Sequence, residues 1–159
     1  MLRRCLTTVA AVVGSVGQMG QGTQEHRPLP KAGAVGGTVR FEAFDVYIDA
    51  GATPLAAYQV ELKATGDTKA VGIEGGESAA FSGAPYYDPA ALHEGQVQER
   101  IVIAAFNTGK DLPAGRTRVA RVHVQVSGAE PEWTVKMQSA GTGDGSRIEA
   151  KAEISKATE

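Results

Sequence analysis

The side chains able to do chemistry are few in this 159-residue chain, and they do not gather. The three histidines stand apart at His26, His93 and His123. No two share the helical spacing of an H-E-x-x-H pair, so each reads as a solvated side chain rather than a metal ligand. Glu77-Ser78-Ala79 lacks the G-x-S-x-G frame of a nucleophile elbow. Gly141-Thr142-Gly143-Asp144-Gly145 is rich in glycine but falls between expected strands, whereas a phosphate-cradling loop feeds a helix N-terminus. A glycosidase needs two carboxyls on facing walls of a cleft. Asp45, Asp49, Glu61, Glu74, Glu77 and Asp88 are the carboxyls to consider, and nothing in their spacing selects a pair. The expectation is a protein that is not an enzyme and carries no cofactor. Asp88, Glu74 and Asp111 are the oxygens a structural calcium would draw on, but no D-x-D-x-D run brings them together.

Binding chemistry has better candidates. Aromatic rings stack on apolar faces of ligands, and aromatics make up 6% of this chain. Trp133 keeps phase with Val135 and Met137, which points it into a core. Tyr86-Tyr87-Asp88 lies in an irregular stretch between Pro85 and Pro89, and loops on a rigid scaffold are where binding residues concentrate. Those three residues are the expected contact site. The competing reading folds one tyrosine back to plug an open end of the fold.

The elements that would position them are strands. From Ala56 to Ala64, apolar and polar residues alternate, which describes a strand with one buried and one wet face. Arg116 to Val126 alternates the same way, with Ala120, Val122, Val124 and Val126 inward. Trp133, Val135 and Met137 continue it, as do Ile148, Ala150, Ala152 and Ile154. Arg100 to Phe106, with Ile101 to Phe106 apolar on both parities, reads as a central strand covered on both sides. Along Val39 to Asp49 the parity changes between Phe41 and Phe44, so a bulge or bend is expected near Ala43, where one long strand passes between sheets. Gly75 to Leu92 is irregular, with a helical turn expected at Pro89 to Leu92 behind an Asp88 N-cap. Seven or more short strands and no long amphipathic helix make this an all-β, antiparallel two-sheet β-sandwich.

The ends set the compartment. Met1-Leu2-Arg3-Arg4 and the apolar run from Cys5 to Gly17 read as a signal peptide over residues 1–17, too short to span a bilayer. Residues 18–38 read as a flexible spacer, and residues 39–158 as one domain. The expected location is secreted, periplasmic or extracellular, with no membrane insertion once the signal is removed. Cys5 is the only cysteine, so the expected mature chain has no disulfide. A formal charge of -2 lacks the basic footprint that nucleic acid requires.

The order Phe44-Asp-Val-Tyr-Ile-Asp-Ala-Gly51, Leu55-Ala-Ala-Tyr-Gln-Val-Glu-Leu62, Val71-Gly-Ile-Glu-Gly-Gly76, Ile101-Val-Ile-Ala-Ala-Phe106 and Leu112-Pro-Ala-Gly-Arg-Thr-Arg-Val-Ala-Arg-Val-His-Val124 resembles the cohesin-like and carbohydrate-binding-module group of secreted β-sandwiches. The resemblance implies a nine-stranded jelly-roll without catalytic residues. It also implies a partner protein of dockerin type, or a polysaccharide. The expected function is a secreted, non-catalytic binding module that presents a sheet face and the 75–92 loop. The alternative is a structural subunit of an extracellular complex, assembled by edge-strand pairing.

Overall fold

A strand with apolar side chains at every second position can bury only one face, so two such sheets must bury each other's. The computed structural model describes residues 38–88 and 100–158, all within the unit Val35–Glu159. The expected signal peptide, the spacer before Thr38, the Pro89–Leu92 turn, His26 and His93 lie outside the described residues.

Eight strands run through the described residues: β1 (Val39–Asp49), β2 (Ala57–Ala64), β3 (Asp67–Gly75), β4 (Tyr86–Tyr87), β5 (Ile101–Phe106), β6 (Arg116–Ser127), β7 (Trp133–Gly141) and β8 (Lys151–Lys156). They form two four-stranded sheets, ordered β3-β6-β1-β8 and β4-β5-β2-β7. Every pairing is antiparallel. The fold is the expected all-β two-sheet sandwich, with eight described strands where the resemblance implies nine.

The alternating positions meet between the sheets. Tyr58, Val60 and Leu62 of β2 face Phe44, Val46 and Ile48 of β1 across a core shared with Ile101, Ile103, Val122, Val124 and Val126. All of these are buried. The Tyr58 hydroxyl spans the layers and donates to the Val119 carbonyl at 3.2 Å. Burial pushes that phenol above its ordinary pKa, so it stays a neutral donor. Trp133 packs against the core as its period requires, with its ring 5.1 Å from Phe44.

The phase slip expected near Ala43 is elsewhere. β1 pairs with β6 without interruption from Val39 to Val46, and the register shifts only between Val46 and Tyr47. The extra residue is Val119 on β6, which lets Val119 and Ala120 both be buried. β1 therefore stays in one sheet. Val39 and Phe41 are apolar but lie on its outer face, 55% and 73% exposed. Parity alone does not separate an exposed apolar side chain from a shift of face.

One lateral side of the sandwich is sealed by the chain between β3 and β4. A 3-10 turn, Ala79–Phe81, drives Phe81 inward until its ring meets Tyr58 edge-on, with centroids 5.2 Å apart. Gly76 donates to the Phe81 carbonyl at 2.7 Å. The approach is so close that a Cβ on Gly76 would collide with the Arg118 carbonyl oxygen. The consecutive glycines Gly75 and Gly76 are what allow this loop to lie flat and deliver Tyr86 to the sheet.

Candidate functional site

The three residues expected to form a contact site divide between two faces. Tyr86 pairs with Ala104 of β5 and points outward, 75% exposed. Tyr87 pairs with Ile103, faces the opposite way and packs against the core. It is the tyrosine that folds back. Asp88 is exposed just beyond the strand. Of the expected triad, Tyr86 faces outward and half-buried Tyr87 faces the core, because strand alternation separates neighbours in sequence.

The second exposed ring comes from β5. Phe106 shares the outward parity of Ala104 and is 79% exposed. That overturns the expectation that β5 is covered on both sides. β5 is interior to its sheet by pairing, but its outer side carries half-buried Val102 and Ala104 and an uncovered Phe106. Tyr86 opposes Ala104, and Phe106 lies two residues further along, so the two rings are diagonal neighbours across the β4–β5 ladder. Diagonal positions in an antiparallel pair lie about 7–8 Å apart, within mutual reach of aromatic side chains.

Register carries the site across the sheet. Tyr86 opposes Ala104, Ala104 opposes Gln59 and Gln59 opposes Ser139. This is one row across all four strands on the outer face. Gln59 and Ser139 are exposed and present amide and hydroxyl groups. Phe106 and Ala57 form the row on one side. Val102, Glu61 and Lys136 form the row on the other. There Glu61 accepts from Gln138 Nε2 at 2.9 Å and lies 3.8 Å from Arg100 Nη1 and 3.7 Å from Lys63 Nζ. The face thus runs from bare aromatics through neutral hydrogen-bonding groups to a carboxylate held in place by its neighbours. Sequence reasoning misses Phe106, because an unbroken apolar run hides which parity is covered; its position at the strand end, before Asn107, is the available signal.

The outer face of the other sheet is built differently. Asp45 is buried although it points outward, because Arg121 covers it with two hydrogen bonds of 2.7 and 3.0 Å and Arg118 approaches to 3.6 Å. The Arg121 hydrogen bonds hold the Asp45 carboxyl below its ordinary pKa against the opposing effect of burial. Arg116 lies over the Tyr47 ring at 3.6 Å. His123 Nε2 lies 2.9 Å from Glu74 Oε1. Beyond them Phe41, Ala43, Val71, Gly72 and His123 line a shallow depression of about 530 Å³.

The remaining carboxyls have structural partners. Glu77 accepts from the Arg118 backbone N–H at 2.9 Å and ties the sealing loop to β6. Asp49 accepts from the Gly51 N–H at 2.9 Å and closes a turn. Among the described residues, no group of three or more His, Cys, Asp or Glu side chains converges as a metal set. No described helix is long and apolar enough to cross a membrane. No family model, curated protein or solved structure matches this chain.

Proposed function

We propose that this protein is a secreted, non-catalytic binding module that holds a polysaccharide on the outer face of the β4-β5-β2-β7 sheet. The observation that carries the reading is the row Tyr86–Ala104–Gln59–Ser139 with Phe106 beside it: two exposed rings next to neutral hydrogen-bonding groups on one rigid face. Sugar rings offer apolar C–H faces for stacking and a rim of hydroxyls for amide and hydroxyl partners, so both components of this face have a use. The opposite sheet has the mixed charge of a protein-docking face, but Asp45, Arg121, Arg118, Arg116 and Tyr47 already engage one another. That favours the glycan over a dockerin-like protein partner. The apolar segment after Arg3-Arg4 supports export, where such ligands are met.

The test is a polysaccharide array probed with the wild-type protein, Tyr86→Ala and Phe106→Ala, alongside a pull-down from the secreted fraction. Retention of the wild type on a glycan, weakened in both variants, supports the assignment. A protein captured with no glycan retained would replace it by the dockerin-like reading.

A further inference from the structure

The two lateral sides of the sandwich are closed to different degrees. On one side Phe81 and Tyr87 fill the gap between β3 and β4. On the other, Val135, Met137, Ile148, Ala150, Ala152 and Ile154 pack against the core but are only half-buried. An open groove of about 830 Å³ runs there between β7 and the 147–151 segment.

A sheet edge is a template for another strand unless something blunts it. Three of the four edges are short or irregular, the β7 edge carrying an extra residue at Gln138, whereas β8 is regular and protected only by its charges. β4 has two residues. β3 is irregular between Ala70 and Gly72 where it pairs with β6, and Val71 stands out of the ladder. β7 is occupied at its end, where Gly141 bridges to Arg147 and Ile148 donates to the Ala140 carbonyl at 3.0 Å. β8 has six residues, no register shift against β1, no proline, and no strand on its far side among the described residues.

The geometry points to a second copy of this chain as the partner of β8. We infer that two copies pair β8 with β8 antiparallel about a two-fold axis normal to the sheet, so that two β3-β6-β1-β8 sheets become one. Pairing about such an axis keeps outer residues opposite outer residues only when it is centred on a residue. Four centres, Ala152 to Ser155, lie inside the strand's ends, and centring on Ser155 sets Ile154 against Lys156 and joins no opposite charges. Centring on Glu153 sets Glu153 against itself, and like charges directly opposite are destabilising. Centring on Ile154 sets Glu153 against Ser155 and Ala152 against Lys156, so no opposite charges meet. Centring on Ala152 sets Lys151 against Glu153 twice over, on the exposed face, where among the described residues Glu153 otherwise meets only Arg116 Nε, through Oε2 at 3.4 Å in an exposed pair. It also sets Ile154 against Ala150, the residue just before β8, twice over on the half-buried face, so the pairing extends the strand by that residue. The charge pattern of β8 is complementary to itself in that register alone. The added strand would cover the apolar residues that the groove leaves open. This interface is separate from the Tyr86–Phe106 face and does not depend on the polysaccharide reading.

The test is sedimentation velocity of the full chain across a concentration series reaching the high micromolar range, with circular dichroism to confirm the fold of each variant. Wild type should show a monomer–dimer equilibrium. Lys151→Glu and Glu153→Lys should each raise the dimer dissociation constant about tenfold or more, since each replaces two attractive cross-strand pairs by two repulsive ones. An equimolar mixture of the two variants should dimerise again. There the two carboxylates on the β8 of one variant meet the two ammonium groups on the β8 of the other. A wild type that stays monomeric, a dimer indifferent to both single variants, or a mixture that fails to recover would each overturn the proposal.

Discussion

The two outer faces of this sandwich rest on the same backbone pairing, yet their side chains are organised in opposite ways. On the β3-β6-β1-β8 face, Asp45 is sunk beneath Arg121 and Arg118, and Arg116 covers Tyr47. On the β4-β5-β2-β7 face, Tyr86 and Phe106 stand in solvent beside Gln59 and Ser139. The first face completes its charged interactions around Asp45 and leaves Phe41 and Val71 uncovered only toward one end, apart from that network; the second sets two exposed rings together beside neutral hydrogen-bonding groups. The contrast teaches that a polar surface can be a finished structure and an apolar one an unfinished site. Large rings standing in solvent are the feature that asks for an explanation, while exposed charges in pairs do not.

Substitutions on the two faces should act differently. The largest effect is expected at Gly76, which carries the loop to Tyr86. Gly76→Ala forces a Cβ against the Arg118 carbonyl and Val119 backbone, neither of which can yield without moving β6. A loss of about 3 kcal/mol in chemical denaturation is expected, from overpacking against backbone. A neutral result would mean that the sealing loop does not fix β4.

Removing the centre of the charged face comes next. Asp45→Ala removes both hydrogen bonds of Arg121, which stays partly solvated and in the field of Glu74, so the cost falls below that of a fully buried pair, at about 2 kcal/mol. Glycan retention should not change. The same residue sets an acid dependence. Its folded pKa is lowered, chiefly by the Arg121 hydrogen bonds. Its stabilisation is therefore complete above the unfolded value of about 4 and is lost as pH falls through the folded one. Glu42 acts in the same sense: burial pushes its carboxyl up, and hydrogen bonds from Arg40 and Lys156 more than offset it. Thermal melts should thus fall on the acid side of about pH 4, and less steeply in Asp45→Ala.

Phe106→Ala sharpens the contrast from the other side. Its unfolding free energy should stay within about 0.5 kcal/mol of wild type, because the ring touches little of the fold. Its binding should weaken about five- to tenfold, the loss of about 1 kcal/mol of ring stacking. Arg116→Ala should give the smallest change, about 0.5 kcal/mol of stability from the Tyr47 contact, with binding untouched.

The sandwich is legible in the sequence because burial imposes a period of two, and Tyr58, Val60, Val122 and Val124 all lie inside as their spacing requires. The site is legible in part. Tyr86 stands out by its place between prolines, whereas Tyr87 beside it goes inward because neighbours on a strand part company. Phe106 is hidden inside an apolar run. The bulge at Val119 is masked because Val119 and Ala120 are both small enough to be buried together. Its apparent trace, the parity change on β1, comes from Val39 and Phe41 facing water. Periodicity reports which residues share a side. It is silent on which side another layer covers, since that depends on strand order.

The most direct measurement is a backbone and aromatic chemical-shift map of the protein titrated with cellohexaose and with xylohexaose. The account predicts perturbations clustered at Tyr86, Ala104, Phe106, Gln59 and Ser139, with Asp45, Arg116 and Arg121 unmoved. Shifts centred on the charged face, or on the Phe41–Val71 depression instead, would contradict it.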